Sequence, residues 1–292
     1  LNFGLIFGSS FILNSLEGTS ISFLSIFWSF YDFPALGVKG AAIGTFIAMI
    51  FQFFHYSFYL LKEDVIKKYK ALRLSIDYKM LQKQLIISYP IAIQETLVML
   101  SFTFFYKILG IIGVFELAAT QVIFRIMHAS FMPAIGVGQA CATLVGKYLG
   151  ENNPDKATIA VKESIRASIF MMGSVGIVFI CFAQYIIPLF TTDPNVIKYA
   201  TSGLRFVGLL QFIDATCITL WFALTGSGDT KFPAFVDVLL HWAIFVPLCY
   251  ILGITFNLGF WGPWFAFAFH LFLFSIFALT RFNNGKWKKI EV

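Results

Sequence analysis

The chain has 292 residues, of which 59% are hydrophobic and only 12% charged, at a mean hydropathy of +0.81. Ordinary soluble domains carry about 25% charged residues, so this composition excludes a water-soluble enzyme or nucleic-acid-binding domain and indicates an integral membrane protein. The net charge of +6 must then be explained by where the basic residues fall, with no nucleic-acid partner required.

The first stretch, "LNFGLIFGSSFIL" at 1–13, has the character of a membrane span but begins abruptly and without Met. It has no basic n-region or small-residue cleavage site, so a signal peptide is not indicated and an N-terminal truncation is expected. In the segment 14–34 the apolar part from Ile21 to Phe33 is too short to cross, and Trp28 and Tyr31 suit the headgroup region, so an interfacial or re-entrant segment is expected. Apolar stretches long enough for a ~30 Å hydrocarbon core, roughly 20 residues each, then follow near 40–61, 85–112, 117–146, 166–192, 203–226, 232–254 and 258–280. The expected fold class is an all-α polytopic membrane protein.

Orientation follows from Lys and Arg. With the 62–84 loop in the cytoplasm and each span reversing direction, sixteen basic residues fall inside, four outside, and Arg125 stays within a span. The positive-inside rule therefore accounts for the net charge, and the "KKYKALR" run reads as a solvated loop near anionic headgroups. Cys141, Cys181, Cys217 and Cys249 each sit in a different apolar run and read as packing residues. No HExxH, GxSxG or similar constellation is present. Neither an enzyme nor a cofactor is expected.

An internal echo organises the spans. "LGVKGAAIGTF" at 36–46 and "LGFWGPWFAFA" at 258–268 share the frame L-G-x-x-G, each leading from a short outer loop into an inward-running helix. Two copies of one six-helix unit would put the last two helices of a first bundle at 1–61. A basic cytoplasmic linker would follow at 62–84, a complete second bundle at 85–281 and a basic cytoplasmic tail at 282–292. Parallel repeats about an axis along the membrane normal recur among transporters.

Several ordered motifs sharpen this. "FMPAIGVGQACATLVGKYLGENNPDKA" at 131–157, "LTGSGDTKFP" at 224–233, "SYPIAIQE" at 88–95 and "LGVKGAAIGT" at 36–45 together resemble the multidrug and toxic compound extrusion (MATE) family of cation-coupled antiporters. The resemblance covers essentially the whole chain and would match it to helices five to twelve of a twelve-helix protein. It implies two six-helix bundles in a V-shaped molecule that exports amphipathic, often cationic compounds against inward H⁺ or Na⁺. A monomer in the inner (plasma) membrane with a cytoplasmic C-terminus is expected. Two alternatives stay open: a lipid-linked oligosaccharide flippase of a related fold, or an inactive truncated chain.

The motifs also have readings of their own. Gly138, Ala142, Gly146 and Gly150 recur every four residues and form a small-residue stripe where another helix can approach. Pro133 with Gly136 and Gly138, and Pro90 near the start of its own span, interrupt regular hydrogen bonding and are expected to serve as kinks tolerated by packing or as hinges. "GSGDTKFP" reads as a tight cytoplasmic turn, with Pro233 opening the next helix.

Ionisable residues inside spans are functional candidates by default. At 1.5 Å per residue, Glu95 lies roughly 15 Å from the inner end of its span, Asp214 roughly 16 Å and Arg125 roughly 12 Å from the outer ends of theirs. Gln121 and His128 share the face of Arg125. Asp237 and His241 form another one-turn pair, and His270 sits at mid-depth in the last span. Glu95 and Arg125 match in depth, so a buried ion pair between them stands beside Glu95 as part of a cation or substrate site. Asp214 reads as a carboxylate that binds and releases a cation, Na⁺ included, or as a carboxyl bonded to Gln211 or Thr219. The resemblance implies an acidic residue on the tenth helix twelve positions before the glycine of the G-x-x-D turn, and Asp214 stands twelve before Gly226, with Asp229 completing the turn. It also implies a glutamate eight residues after the proline of the seventh helix. Val98 holds that position here, and Glu95 lies one turn earlier.

Overall fold

Helices are the only regular elements among the described residues, 36–61 and 78–289, of this computed structural model. The expected span at 1–13, the interfacial segment at 14–34 and most of the linker at 62–84 lie outside them. The chain divides into two units, Leu1–Asp77 and Tyr78–Val292. In the first, α1 (Gly37–Leu60) is apolar along its length. The second contains α2 (Tyr78–Ile112), α3 (Val114–Gly150), α4 (Pro154–Ile186), α5 (Pro194–Gly226), α6 (Lys231–Thr255) and α7 (Trp261–Asn283). All seven helices are long and apolar enough to cross a membrane, matching the seven spans expected from hydropathy.

The helices start where local chemistry supplies caps. Asn153 accepts a hydrogen bond from the Lys156 N–H, Pro154 takes the first position and Asp155 stands in the first turn of α4. The "NNPDKA" end of the long glycine-containing motif is thus a helix start. Asp193 does the same for α5, accepting from the N–H groups of Asn195 and Val196, with Pro194 following. Between α5 and α6 the "GSGDT" turn closes with two backbone bonds, Gly228 N–H to Thr225 O and Asp229 N–H to Leu224 O, both 3.0 Å. Gly228 sits at φ 86°, the left-handed residue this pattern of helix ending requires.

Packing centres on α5, the most buried span, which pairs most extensively with α4 and α3. The small-residue stripe of α3 lies against it. A Cβ on Gly138 would strike the Phe222 ring, one on Gly146 would come 3.3 Å from the Gly226 carbonyl, and one on Gly226 would lie 2.5 Å from Ala142 Cα. Gly150 and Gly136 meet nothing within 4 Å, so the stripe ends at Gly146 and Gly136 has no packing role within this unit. A second close crossing was not read from sequence: a Cβ on Gly176 of α4 would lie 2.5 Å from the Gly208 carbonyl of α5, and one on Gly208 would lie 2.6 Å from the Gly176 carbonyl.

Helices α2 and α3 run unbroken through Pro90 and Pro133. Helix α6 instead carries two π-helical turns, His241–Phe245 and Ile251–Thr255. The first immediately precedes Val246–Pro247, where the missing proline N–H breaks the normal ladder and the helix absorbs one extra residue. An aromatic cluster ties α2, α3, α6 and α7 together: Phe105 stacks on Phe245 at 5.4 Å and Phe124 on Trp264 at 5.7 Å. Phe105, Phe245 and Trp264 are fully buried.

Candidate functional site

A cavity of about 410 Å³ opens between α2, α3, α5, α6 and α7. Its walls are largely aromatic and aliphatic, including Phe102, Phe131, Trp221, Phe222, Phe267 and Phe274. Into them project Gln94, Glu95, Asp214, Cys217, Asp237, His241 and His270. An apolar wall with a few convergent polar groups is the usual make-up of a small-molecule site.

Two of the expected site residues, Asp214 and Glu95, meet here. Asp214 is only 7% exposed, and among the described residues neither its carboxyl nor that of Glu95 has an ion-pair or side-chain hydrogen-bond partner. The bonds anticipated to Gln211 and Thr219 are absent because both side chains are bonded elsewhere. Gln211 turns away to donate to Ser130 Oγ at 3.0 Å, and Thr219 is committed to Ser168 Oγ and the Ala215 carbonyl, both at 2.8 Å. Gln211 therefore belongs to a buried contact between α3 and α5, outside the cavity lining. Glu95 and Val98, the residue at the position implied for a glutamate, both line the cavity. Glu95 thus reaches the same space from one turn away.

The remaining expected residues lie elsewhere. Arg125, Gln121 and His128 line a separate cavity of about 580 Å³ with Tyr106 and Phe124. Glu95 and Arg125 form no ion pair: they line different cavities. Counted from the turn at Gly113, Glu95 lies 17 residues back from the end of α2 and Arg125 11 residues into α3, so the expected match in depth is off by about 9 Å at 1.5 Å per residue. Gln94 is the lining residue that sequence reasoning passed over. It is 4% exposed and donates from Nε2 to Asp237 Oδ2 at 2.7 Å. The other oxygen of Asp237, Oδ1, is 3.2 Å from His241 Nδ1 and 3.5 Å from His270 Nε2. The i, i+4 spacing of Asp237 and His241 announced one edge of that group; the approach of His270 from another helix had no local signal.

Five long helices around a cavity of apolar walls and inward-facing carboxylates, in a chain with seven helices long and apolar enough to cross a membrane, define a polytopic membrane protein with an internal cavity. The MatE family profile matches residues 90–251, more than half of the chain, and the chain belongs to that family. It is 28% identical over 277 residues to the probable multidrug resistance protein NorM of Thermotoga maritima, covering 93% of this chain and 60% of that protein. It is 25% identical to the uncharacterised transporter YisQ of Bacillus subtilis, covering 90% and 58%. Among solved structures it is similar to a MATE protein in the straight conformation, with TM-score 0.76, 19% identity and coverage of 99% of this chain and 62% of that one. It is also similar to the eukaryotic MATE transporter AtDTX14, with TM-score 0.74, 20% identity and coverage of 88% and 58%. The chain thus spans about three fifths of the length of the curated relatives it matches.

Proposed function

We propose that the full-length protein exports amphipathic, often cationic compounds in exchange for inward H⁺ or Na⁺, with Asp214 as the carboxylate at which the two cargoes compete. The observation that carries this reading is the unpartnered Asp214, nearly buried yet lining an apolar cavity beside Glu95. A charge kept at mid-depth costs several kcal/mol, at least ~2.5, and among the described residues no cation pairs with it. A carboxyl in that position can hold a proton or a sodium ion and surrender it to a cationic drug. Coupling needs only that one site not satisfy both at once. The names of the relatives, which include multidrug resistance proteins, support the substrate class. The basic loops support a cytoplasmic C-terminus.

The test is Asp214→Asn in the full-length protein. Efflux and drug resistance should be lost with expression and folded yield unchanged, and undiminished resistance would overturn the proposal. Glu95→Gln should weaken coupling without lowering the yield of folded protein, because among the described residues Glu95 has no ion-pair partner to strand. Efflux measured with and without a sodium gradient then chooses between H⁺ and Na⁺.

A further inference from the structure

We infer that Asp237, His241 and His270 form a binding site for a divalent first-row transition-metal ion, with zinc the natural probe, between α6 and α7. One ligand atom from each of the three residues lies within 4.8 Å of the others. The two distances from Asp237 Oδ1, 3.2 Å to His241 Nδ1 and 3.5 Å to His270 Nε2, fit the ligand–ligand separation in a tetrahedral zinc site, about 3.3 Å for bonds of ~2.0–2.1 Å. Two imidazoles and one carboxylate leave a fourth position open toward the cavity these side chains line.

Three further observations point to a ligand. His270 is 4% exposed, yet neither ring nitrogen makes a hydrogen bond: Nε2 has only the long 3.5 Å contact with Asp237 Oδ1; such a buried imidazole is a costly arrangement that a metal bond would relieve. Gln94 holds Asp237 Oδ2 at 2.7 Å and so leaves Oδ1 aimed at the histidines, the role that outer-shell hydrogen bonds play around metal ligands. Among the described residues, Asp237 has no Lys or Arg partner, so its negative charge is met only by imidazoles. The donor set selects the ion. Nitrogen donors suit zinc, nickel, cobalt and copper, whereas sodium and calcium take oxygen. His241 Nδ1 lies 2.9 Å from the Asp237 carbonyl oxygen, to which it donates when no metal is bound. Binding at Nδ1 breaks that bond and places the ring proton on Nε2.

The site is distinct from Asp214 and does not rest on the transport reading. The experiment is titration of the whole chain, purified in detergent without a polyhistidine tag, with zinc(II) by calorimetry and with cobalt(II) by visible absorption. One equivalent should bind, with cobalt bands of a nitrogen-ligated ion that zinc bleaches and sodium leaves intact. His270→Phe, which suits the surrounding Phe245 and Phe274 rings, and Asp237→Asn should each weaken zinc binding by at least about tenfold. Asp214→Asn removes none of the three ligands and should still bind one equivalent of zinc with the same cobalt bands, even where it abolishes efflux. X-ray absorption on the unsubstituted zinc-loaded protein should show imidazole donors, a readout independent of whether any variant folds. No stoichiometric binding, a shell of oxygen donors alone, or undiminished affinity in folded His270→Phe would each overturn the inference.

Discussion

Asp229→Ala tests how the turn after α5 is held. Asp229 is 5% exposed, and its Oδ2 accepts from Arg281 Nε at 2.7 Å, joining the turn to the last turn of α7. The Arg281 side chain is 19% exposed and lies 4.7 Å above the centre of the Phe232 ring. Removing one member of a fully buried pair costs about 3–5 kcal/mol, because the other charge is stranded, while exposed pairs are worth about 0–1 kcal/mol. Arg281 keeps its aromatic contact and some access to water, so a loss of about 2–3 kcal/mol is expected. At roughly 2–4 °C per kcal/mol for a chain of this size, the apparent unfolding midpoint in detergent should fall by about 4–12 °C. Asp229→Asn keeps an acceptor and should lose about half as much. The Asp229→Ala/Arg281→Ala double variant should cost at least about 1 kcal/mol less than the sum of the single variants, since both remove the same interaction. An Asp229→Ala midpoint within about 1 °C of the parent, or strict additivity, would refute the latch.

The two kinds of glycine should separate cleanly in the same assay. Gly208→Ala drives a Cβ to 2.6 Å from the Gly176 carbonyl and should destabilise by about 1–3 kcal/mol. Gly136→Ala meets nothing within 4 Å and should stabilise by up to about 1 kcal/mol through helix propensity; a drop in transport without a drop in stability would then mark Gly136 as a hinge. Gln94→Leu strips the bond to Asp237 Oδ2 and should cost about 1–3 kcal/mol, read as a lower unfolding midpoint.

Hydropathy identified the spans because a helix crossing lipid must satisfy its backbone internally and cover itself in apolar side chains. The same signal misplaced the ends. Helix α2 begins at Tyr78, α4 at Pro154 and α5 at Pro194, all earlier than their apolar stretches at 85, 166 and 203. A helix can extend past the hydrocarbon core into headgroups and water, where polar residues such as Lys79 or Lys156 carry little cost. Position along the helix was legible in part: Asp214 and Glu95, both read as lying well inside their spans, line one cavity. Rotation about each helix axis was not legible, and rotation decides partners. It turns Gln211 toward Ser130 across 81 residues of chain, and brings His270 to Asp237. The π turns of α6 were invisible for a related reason, since a local change of one residue per turn leaves the apolar pattern of a buried helix nearly unchanged.

The cavity therefore holds carboxylates under different commitments, and this bears on the proposal that Asp214 is where drug and coupling ion compete. Asp237 has one oxygen bound to Gln94 and the other turned toward two imidazoles. A compact ion that accepts nitrogen fits that geometry, and a bulky organic cation does not. Asp214 faces the same space with no competing donor among the described residues, in a wall of Phe and Trp side chains that suits the apolar body of an amphipathic molecule and the face-on approach of its charge. Changing Asp214 removes the group that, under the proposed function, a drug and a coupling ion would contest. Changing Asp237 removes the anchor of a fixed cluster linking α2, α6 and α7. The two substitutions are chemically identical when made to Asn, so differences in efflux, stability and zinc binding between them report the surroundings of each carboxylate and not the lost charge itself.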